Sequence, residues 1–87
     1  MKLDDESKAA AVVRLRRAQG QLAGVLRMLE QDADCEATVT QLAAVSKAVD
    51  RAGFTLVAAG MAQCLTRDDE DAVVDRARLE KLFLALA

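Results

Sequence analysis

Not one proline interrupts this chain of 87 residues, and only four glycines do. Proline is the residue a helix interior tolerates least, and the Ala, Leu, Arg and Glu that crowd the rest are good helix formers. The expected fold class is all-α, in a single domain over residues 1–87. The same composition limits the core. Two Phe are the only aromatic residues, so few side chains can each bury a large area. A helical domain this small usually shares its core with copies of itself. Self-association is therefore expected before any motif is considered.

Apolar spacing resolves three helices. The first is predicted from about residue 6 to residue 31, capped by Asp4, Asp5 or Ser7. Its Leu15, Ala18, Leu22, Val25 and Leu29 step by three and four into one stripe, with Arg14, Arg17 and Arg27 beside or opposite it. Asp32 or Asp34 is expected to cap the second helix, which places Cys35 in its first turn and ends near residue 66. Leu42, Val45, Val49, Ala52, Leu56, Ala59 and Gln63 give it a near-heptad pattern. A rod of about 45–50 Å results, long enough to need partners along its length. Gly53 and Gly60 fall near one face of it. Each costs roughly 1 kcal/mol of helix stability against Ala, so another helix or a reactive group is expected close by. A third helix follows the acidic run Asp68-Asp69-Glu70-Asp71. Its apolar end, Leu82 to Ala87, is expected to meet another protomer.

The formal net charge is −2, which by itself argues against nucleic acid. The distribution argues for it: Lys8, Arg14, Arg16, Arg17 and Arg27 lie in a stretch that holds no acid. The acidic start does not resemble a leader, and no apolar run is long enough to span a membrane. A cytoplasmic protein with reduced cysteines is expected. The chain has no His, so zinc and nickel lose their commonest nitrogen ligand. Without His, an acid–base pair or a phosphate loop, an enzyme is not expected.

The segment Arg14-Leu15-Arg16-Arg17-Ala18-Gln19-Gly20-Gln21-Leu22-Ala23-Gly24-Val25-Leu26-Arg27-Met28-Leu29-Glu30 is the informative one. Two Gly four apart in a helix, flanked by Arg and Gln, are not what helix propensity selects. Read from its residues alone, the segment is either a tightly packed helix with a solvated basic face or a phosphate-binding surface. It resembles the first-helix signature of the CsoR/RcnR family of metal- and small-molecule-responsive repressors, R-L-x-R-x-x-G-Q-x-x-G-x-x-R-M-x-E, which is present in full. Cys35 follows five residues later, and Thr40-Gln41-Leu42-Ala43-Ala44-Val45 is similar to that family's T-Q-I-x-A-V. The resemblance runs on to Cys64. It implies a three-helix protomer, an antiparallel four-helix-bundle dimer and a dimer of dimers. It also implies operator DNA as a partner, held without a helix-turn-helix by Arg14, Arg17, Lys47 and Arg51, with Arg16 as a further candidate. For Lys47 and Arg51 the plain alternative is an ordinary wet helix face.

The resemblance also makes Cys35 and Cys64 the sensor thiols. On one straight helix they lie about 43 Å apart, so they cannot react within a chain. The antiparallel pairing that the resemblance implies brings Cys35 of one protomer near Cys64 of the other. In copper-sensing members a His four residues before the second Cys completes the site; here that position is Gly60. Two thiolates can still hold Cu(I) linearly, which keeps Cu(I) as an alternative effector on Cys35 and Cys64. A Cys pair without His is similar to the persulfide-sensing branch typified by CstR, so a sulfane-sulfur donor is the first effector expected. One thiol takes up sulfur and the second resolves it into a di-, tri- or tetrasulfide. Cys35, at a helix N-terminus, is expected to attack, aided by the helix dipole and opposed by Asp32, Asp34 and Glu36. Gly60 is expected to leave room for the added sulfur, and Glu80 stands where the copper branch supports its ligands. No resident cofactor is expected. A helical protein–protein adaptor without DNA binding is the reading from another class, favoured by the acidic net charge.

Overall fold

The computed structural model describes residues 2–87. It contains α1 (Asp5–Glu30), α2 (Cys35–Leu65) and α3 (Glu70–Leu86). Each helix starts on an aspartate. Asp4 accepts from the Ser7 N–H at 2.6 Å, Asp34 from Ala37 at 3.2 Å and Asp69 from Ala72 at 2.7 Å. These carboxylates satisfy donors that the helix itself leaves free. α1 ends in a Schellman turn, with Ala33 N–H bonded to the Met28 carbonyl at 2.9 Å and Asp32 N–H to Leu29 at 3.4 Å. Asp32 takes the left-handed φ of 55° that this turn needs, a conformation short polar side chains tolerate. Two residues later Asp34 begins α2, so α1 and α2 form a tight antiparallel hairpin.

The protomer measures 55 × 25 × 12 Å. Its short dimension equals the 10–12 Å diameter of one helix with its side chains, so the three helices lie side by side in a single layer. The radius of gyration is 16.7 Å, against about 12 Å for a compact domain of this length. α2 is the middle element. α1 and α3 both rest on it, and they do not meet each other among the described residues.

The α1–α2 seam has a seven-residue period on both helices. Ala11, Ala18 and Val25 are buried from α1, and Thr38, Val45 and Ala52 from α2. This is the spacing of a coiled-coil contact line, made here with small side chains. The expected α1 stripe is only partly buried: Ala18 and Val25 are covered, while Leu15, Leu22 and Leu29 are exposed. The cause is the single layer. One neighbouring helix covers one line of residues, and the large side chains beside that line have nothing above them. Leu42 and Val49 of α2 are exposed for the same reason.

α3 folds back antiparallel on α2, and the two glycines show how. A Cβ on Gly53 would lie 2.9 Å from Leu86 Cδ1, and one on Gly60 would lie 3.2 Å from Leu79 Cδ1. Both pairs are seven residues apart, so two notches on α2 receive two leucines of α3. The close approach expected at these glycines is that of another helix. Phe54 and Phe83 meet beside them with ring centroids 5.4 Å apart. Leu82, Phe83 and Leu84 stay exposed at the end of α3. No helix among the described residues is long and apolar enough to cross a membrane.

Candidate nucleic-acid interface and thiol sites

Two antiparallel helices leave a groove on each side of their contact line, and here the two grooves differ in chemistry. One is lined by Arg14, Arg17 and Gln21 of α1 and by Ala44, Lys47, Ala48 and Arg51 of α2. Arg14, Arg17 and Gln21 share a stripe by the three- and four-residue spacing of a helix; Lys47 and Arg51 do the same on α2. The hairpin thus brings four cations, distant in sequence, to one surface with no acid among them. The two alanines between them keep its floor low. None of the four cations forms an ion pair among the described residues, so all remain available to an external anion.

The other groove is apolar. Val12, Leu15, Ala18 and Leu22 line it from α1, and Val45 and Val49 from α2, with Arg16 and Gln19 at its margin. Arg16 therefore sits apart from the four cations it was grouped with in the sequence. One helical position, 100° of rotation, separates it from Arg17. Gln21 is the member of the basic groove that charge counting passed over; its place seven residues after Arg14 was the available signal. Gly20 has open space where a Cβ would be, and Gly24 would meet only Arg27 of its own helix, at 3.7 Å. Nothing inside the protomer requires these two glycines.

The cysteines occupy opposite ends of α2 and opposite environments. Cys35 is exposed in the first turn. Cys64 is 1% exposed, in the last turn of the helix. Neither forms a disulfide, and no three His, Cys, Asp or Glu side chains gather as a metal site among the described residues. The space expected at Gly60 for added sulfur is taken by Leu79, whose methyl groups lie 3.2 and 3.3 Å from the Cβ direction. In the protomer the glycine serves the fit of α3 on α2. Glu80 is exposed and lines a separate apolar groove with Phe54, Val57, Met61 and Phe83. It makes no hydrogen bond to either thiol among the described residues.

Beyond Cys64, Arg67 joins α2 to α3. Its guanidinium donates to Asp75 at 2.9 Å and to Asp69 at 3.1 Å. The two hydrogen bonds raise the Arg67 pKa further above its already high ordinary value, and the same partner lowers that of Asp69. At the other end of α1, the backbone N–H of Ser7 lowers the pKa of Asp4. Gln63, next to Cys64, reaches back to this cap through its side-chain amide, which hydrogen-bonds to Asp4. The start of α1 is thereby fastened to the end of α2.

Comparison with known proteins places these features in context. Residues 7–87 match the model of a family described as metal-sensitive transcriptional repressors. The chain is 39% identical over 54 residues to the copper-sensing transcriptional repressor RicR of Mycobacterium tuberculosis, covering 62% of this chain and 56% of that protein. It is 38% identical over 61 residues to the copper-sensing repressor CsoR of Mycobacterium ulcerans, covering 70% of this chain and 52% of that protein. Against CsoR of Mycobacterium bovis it is 34% identical over 82 residues, covering 91% of this chain and 66% of the relative. The matched part therefore spans between about half and two thirds of these relatives' own lengths.

Proposed function

This chain belongs to the metal-sensitive transcriptional repressors, and from that premise we propose that it represses transcription by binding DNA through the Arg14–Arg17–Lys47–Arg51 groove. The observation that carries the reading is the groove itself: four unpaired cations on one surface of a chain whose net charge is −2. Guanidinium and ammonium groups so placed neutralise phosphates and release counterions, which makes binding steeply salt-dependent. The apolar groove on the opposite side supports pairing of protomers. Leu15, Leu22 and Val49 are exposed there, and a second copy would bury them in a four-helix bundle that leaves the basic side outward. Two such dimers would form the tetramer.

Cys35 and Cys64 of two protomers form the sensor in this reading. The names of the relatives favour Cu(I) as the effector. The donor set is compatible with it in two-coordinate form only, since soft thiolates suit Cu(I) and the chain holds no imidazole. The absence of His favours a second reading, in which a sulfane-sulfur donor is the effector. A Cys35 thiolate displaces a shortened polysulfide from a polysulfide chain and becomes a persulfide. The Cys64 thiol of the partner then attacks the Cys35 sulfur, forming a disulfide and releasing hydrogen sulfide; the polysulfide is the oxidant.

The test is anaerobic release of fluorescent operator-like DNA from the reduced protein, with Cu(I) and inorganic polysulfide in separate titrations. Release by Cu(I) at one equivalent per thiol pair supports the first effector. Release by polysulfide alone, reversed by a thiol reductant, selects the second. Binding that ignores salt and survives Arg14→Ala with Arg17→Ala would overturn the DNA reading and favour a protein–protein adaptor.

A further inference from the structure

Cys64 is a free thiol, 1% exposed, between two points at which α3 is fastened to α2. Gly60 and Cys64 lie one turn apart on one face of α2, and Arg67 follows in the loop just past the helix, its N–H bonded to the Cys64 carbonyl at 3.2 Å. α3 is fastened on both sides of the thiol. On one side Leu79, 5% exposed, fills the notch at Gly60. On the other, Arg67 Nη1 holds Asp75 Oδ2 at 2.9 Å. Asp75 and Leu79 belong to the same buried stripe of α3, with Ala72. The two fastenings differ in kind. Leu79 is apolar and deep, whereas Arg67 lies in the loop between the helices with its side chain 35% exposed. Arg67 also grips Asp69, the residue that caps α3. One guanidinium thus holds both the cap and the first turns of the covering helix.

We propose that Arg67 is a latch that keeps α3 closed over Cys64, so that a thiol-seeking reagent reaches this sulfur only when the Arg67–Asp75 pair opens. The latch deepens the sensor reading by assigning control of access, yet rests on the burial geometry alone. It makes the two thiols kinetically unequal: Cys35 is open at all times, and Cys64 is open only in the unlatched fraction. Local opening of this kind is a population, so weakening the latch raises reactivity in proportion to the open state.

The experiment uses the full chain, reduced and anaerobic, with Cys35→Ser so that one thiol remains. The rate of N-ethylmaleimide addition is followed by mass spectrometry. With the latch intact, Cys64 is expected to react at least about tenfold more slowly than in denaturant. Arg67→Ala and Asp75→Asn should each raise the rate several-fold. Arg67→Lys should fall between, since a single ammonium keeps the charge and loses the two-pronged grip. Arg76→Ala, on the same helix and outside the pair, should change nothing. Circular dichroism separates a lifted helix from an unfolded chain; if Arg67→Ala loses helix content, the comparison of Asp75→Asn with Arg67→Lys decides. Equal rates in all variants, or a wild-type rate matching the denatured thiol, would overturn the latch. Faster alkylation with unchanged DNA release by effectors keeps the latch and removes Cys64 from the sensor.

Discussion

Gly60→Ala tests how α3 sits on α2. Two effects oppose each other. Alanine in place of glycine inside a helix gains about 1 kcal/mol in propensity. The new methyl, however, would lie 3.2 and 3.3 Å from the two Leu79 methyl groups. That is tighter than ordinary contact, and Leu79 is buried in the middle of α3, so relief requires the helix to shift. Overpacking of this kind costs about 1–3 kcal/mol, and the net expectation is a loss of about 1 kcal/mol, or a fall in Tm of about 4–8 °C for a domain this size. Leu79→Ala alone should cost about 2–4 kcal/mol by leaving a cavity. In that background the obstacle is gone, and Gly60→Ala should now stabilise by about 1 kcal/mol, a coupling of about 2 kcal/mol between the two sites. Urea unfolding followed at 222 nm, at one fixed protein concentration because association adds to stability, measures all four proteins. If Gly60→Ala stabilises both backgrounds equally, Leu79 does not occupy the notch and Gly60 does not serve the fit of α3. Gly53→Ala is the contrast. Its obstacle is the tip of Leu86, the last residue of α3, which can swing away, so that variant should be neutral or stabilising.

The DNA reading predicts that Arg14→Ala, Arg17→Ala, Lys47→Ala and Arg51→Ala each weaken binding at all sequences and lower the salt slope by about one; Arg16→Ala should leave that slope unchanged, as read by fluorescence anisotropy across a salt series. Asp34→Ala removes the cap that starts α2 at Cys35 and should cost about 0.5–2 kcal/mol in urea unfolding. The acid limb of stability should carry Asp69. Its carboxyl is held below the ordinary value of 3.8 by Arg67, so its contribution is complete above that value and is lost as pH falls through the lower folded one. Asp69→Asn should therefore be less stable at neutral pH, and its thermal melts should lose less stability than wild type as pH falls below about 4.

Helix number, order and starts were legible in the sequence because they rest on local chemistry. Aspartates at 4, 34 and 69 cap within three residues of themselves, and no proline competes. The α1 stripe was legible as a stripe but not as a surface. Periodicity shows that Leu15, Ala18, Leu22, Val25 and Leu29 share a side; it does not show that a single layer covers only Ala18 and Val25 of them. Arg14, Arg17, Lys47 and Arg51 were named together by the resemblance, and the hairpin sets the α2 pair beside the α1 pair, but Arg16 lines the other groove because each step along a helix turns the side chain by 100°. The Arg67–Asp75 pair had no sequence signal. It joins residues eight apart across a loop, and only the docking of α3 brings them together. The same is true of Leu79 at Gly60, where a gap in the sequence is filled by a residue from another helix.

The position of the basic groove on two helices, and not one, bears on how effector and DNA could be coupled. Arg14 and Arg17 ride on α1, Lys47 and Arg51 on α2. A fixed arrangement of phosphates matches all four only at one relative setting of the helices. The cysteines terminate α2, with Lys47 twelve residues after Cys35 and Arg51 thirteen before Cys64, so both cations sit near the middle of the rod whose ends carry the thiols. Chemistry at Cys64 must also displace α3, which contacts the same rod at Gly53 and Gly60. A tilt of α2 against α1 would then open or close the groove without any residue of the groove touching the effector. The seam permits such a tilt because it is built of Ala, Thr and Val, side chains too small to interlock deeply. Coupling of about 1–3 kcal/mol, the usual range between linked sites, requires only that the two settings differ in a phosphate contact or two.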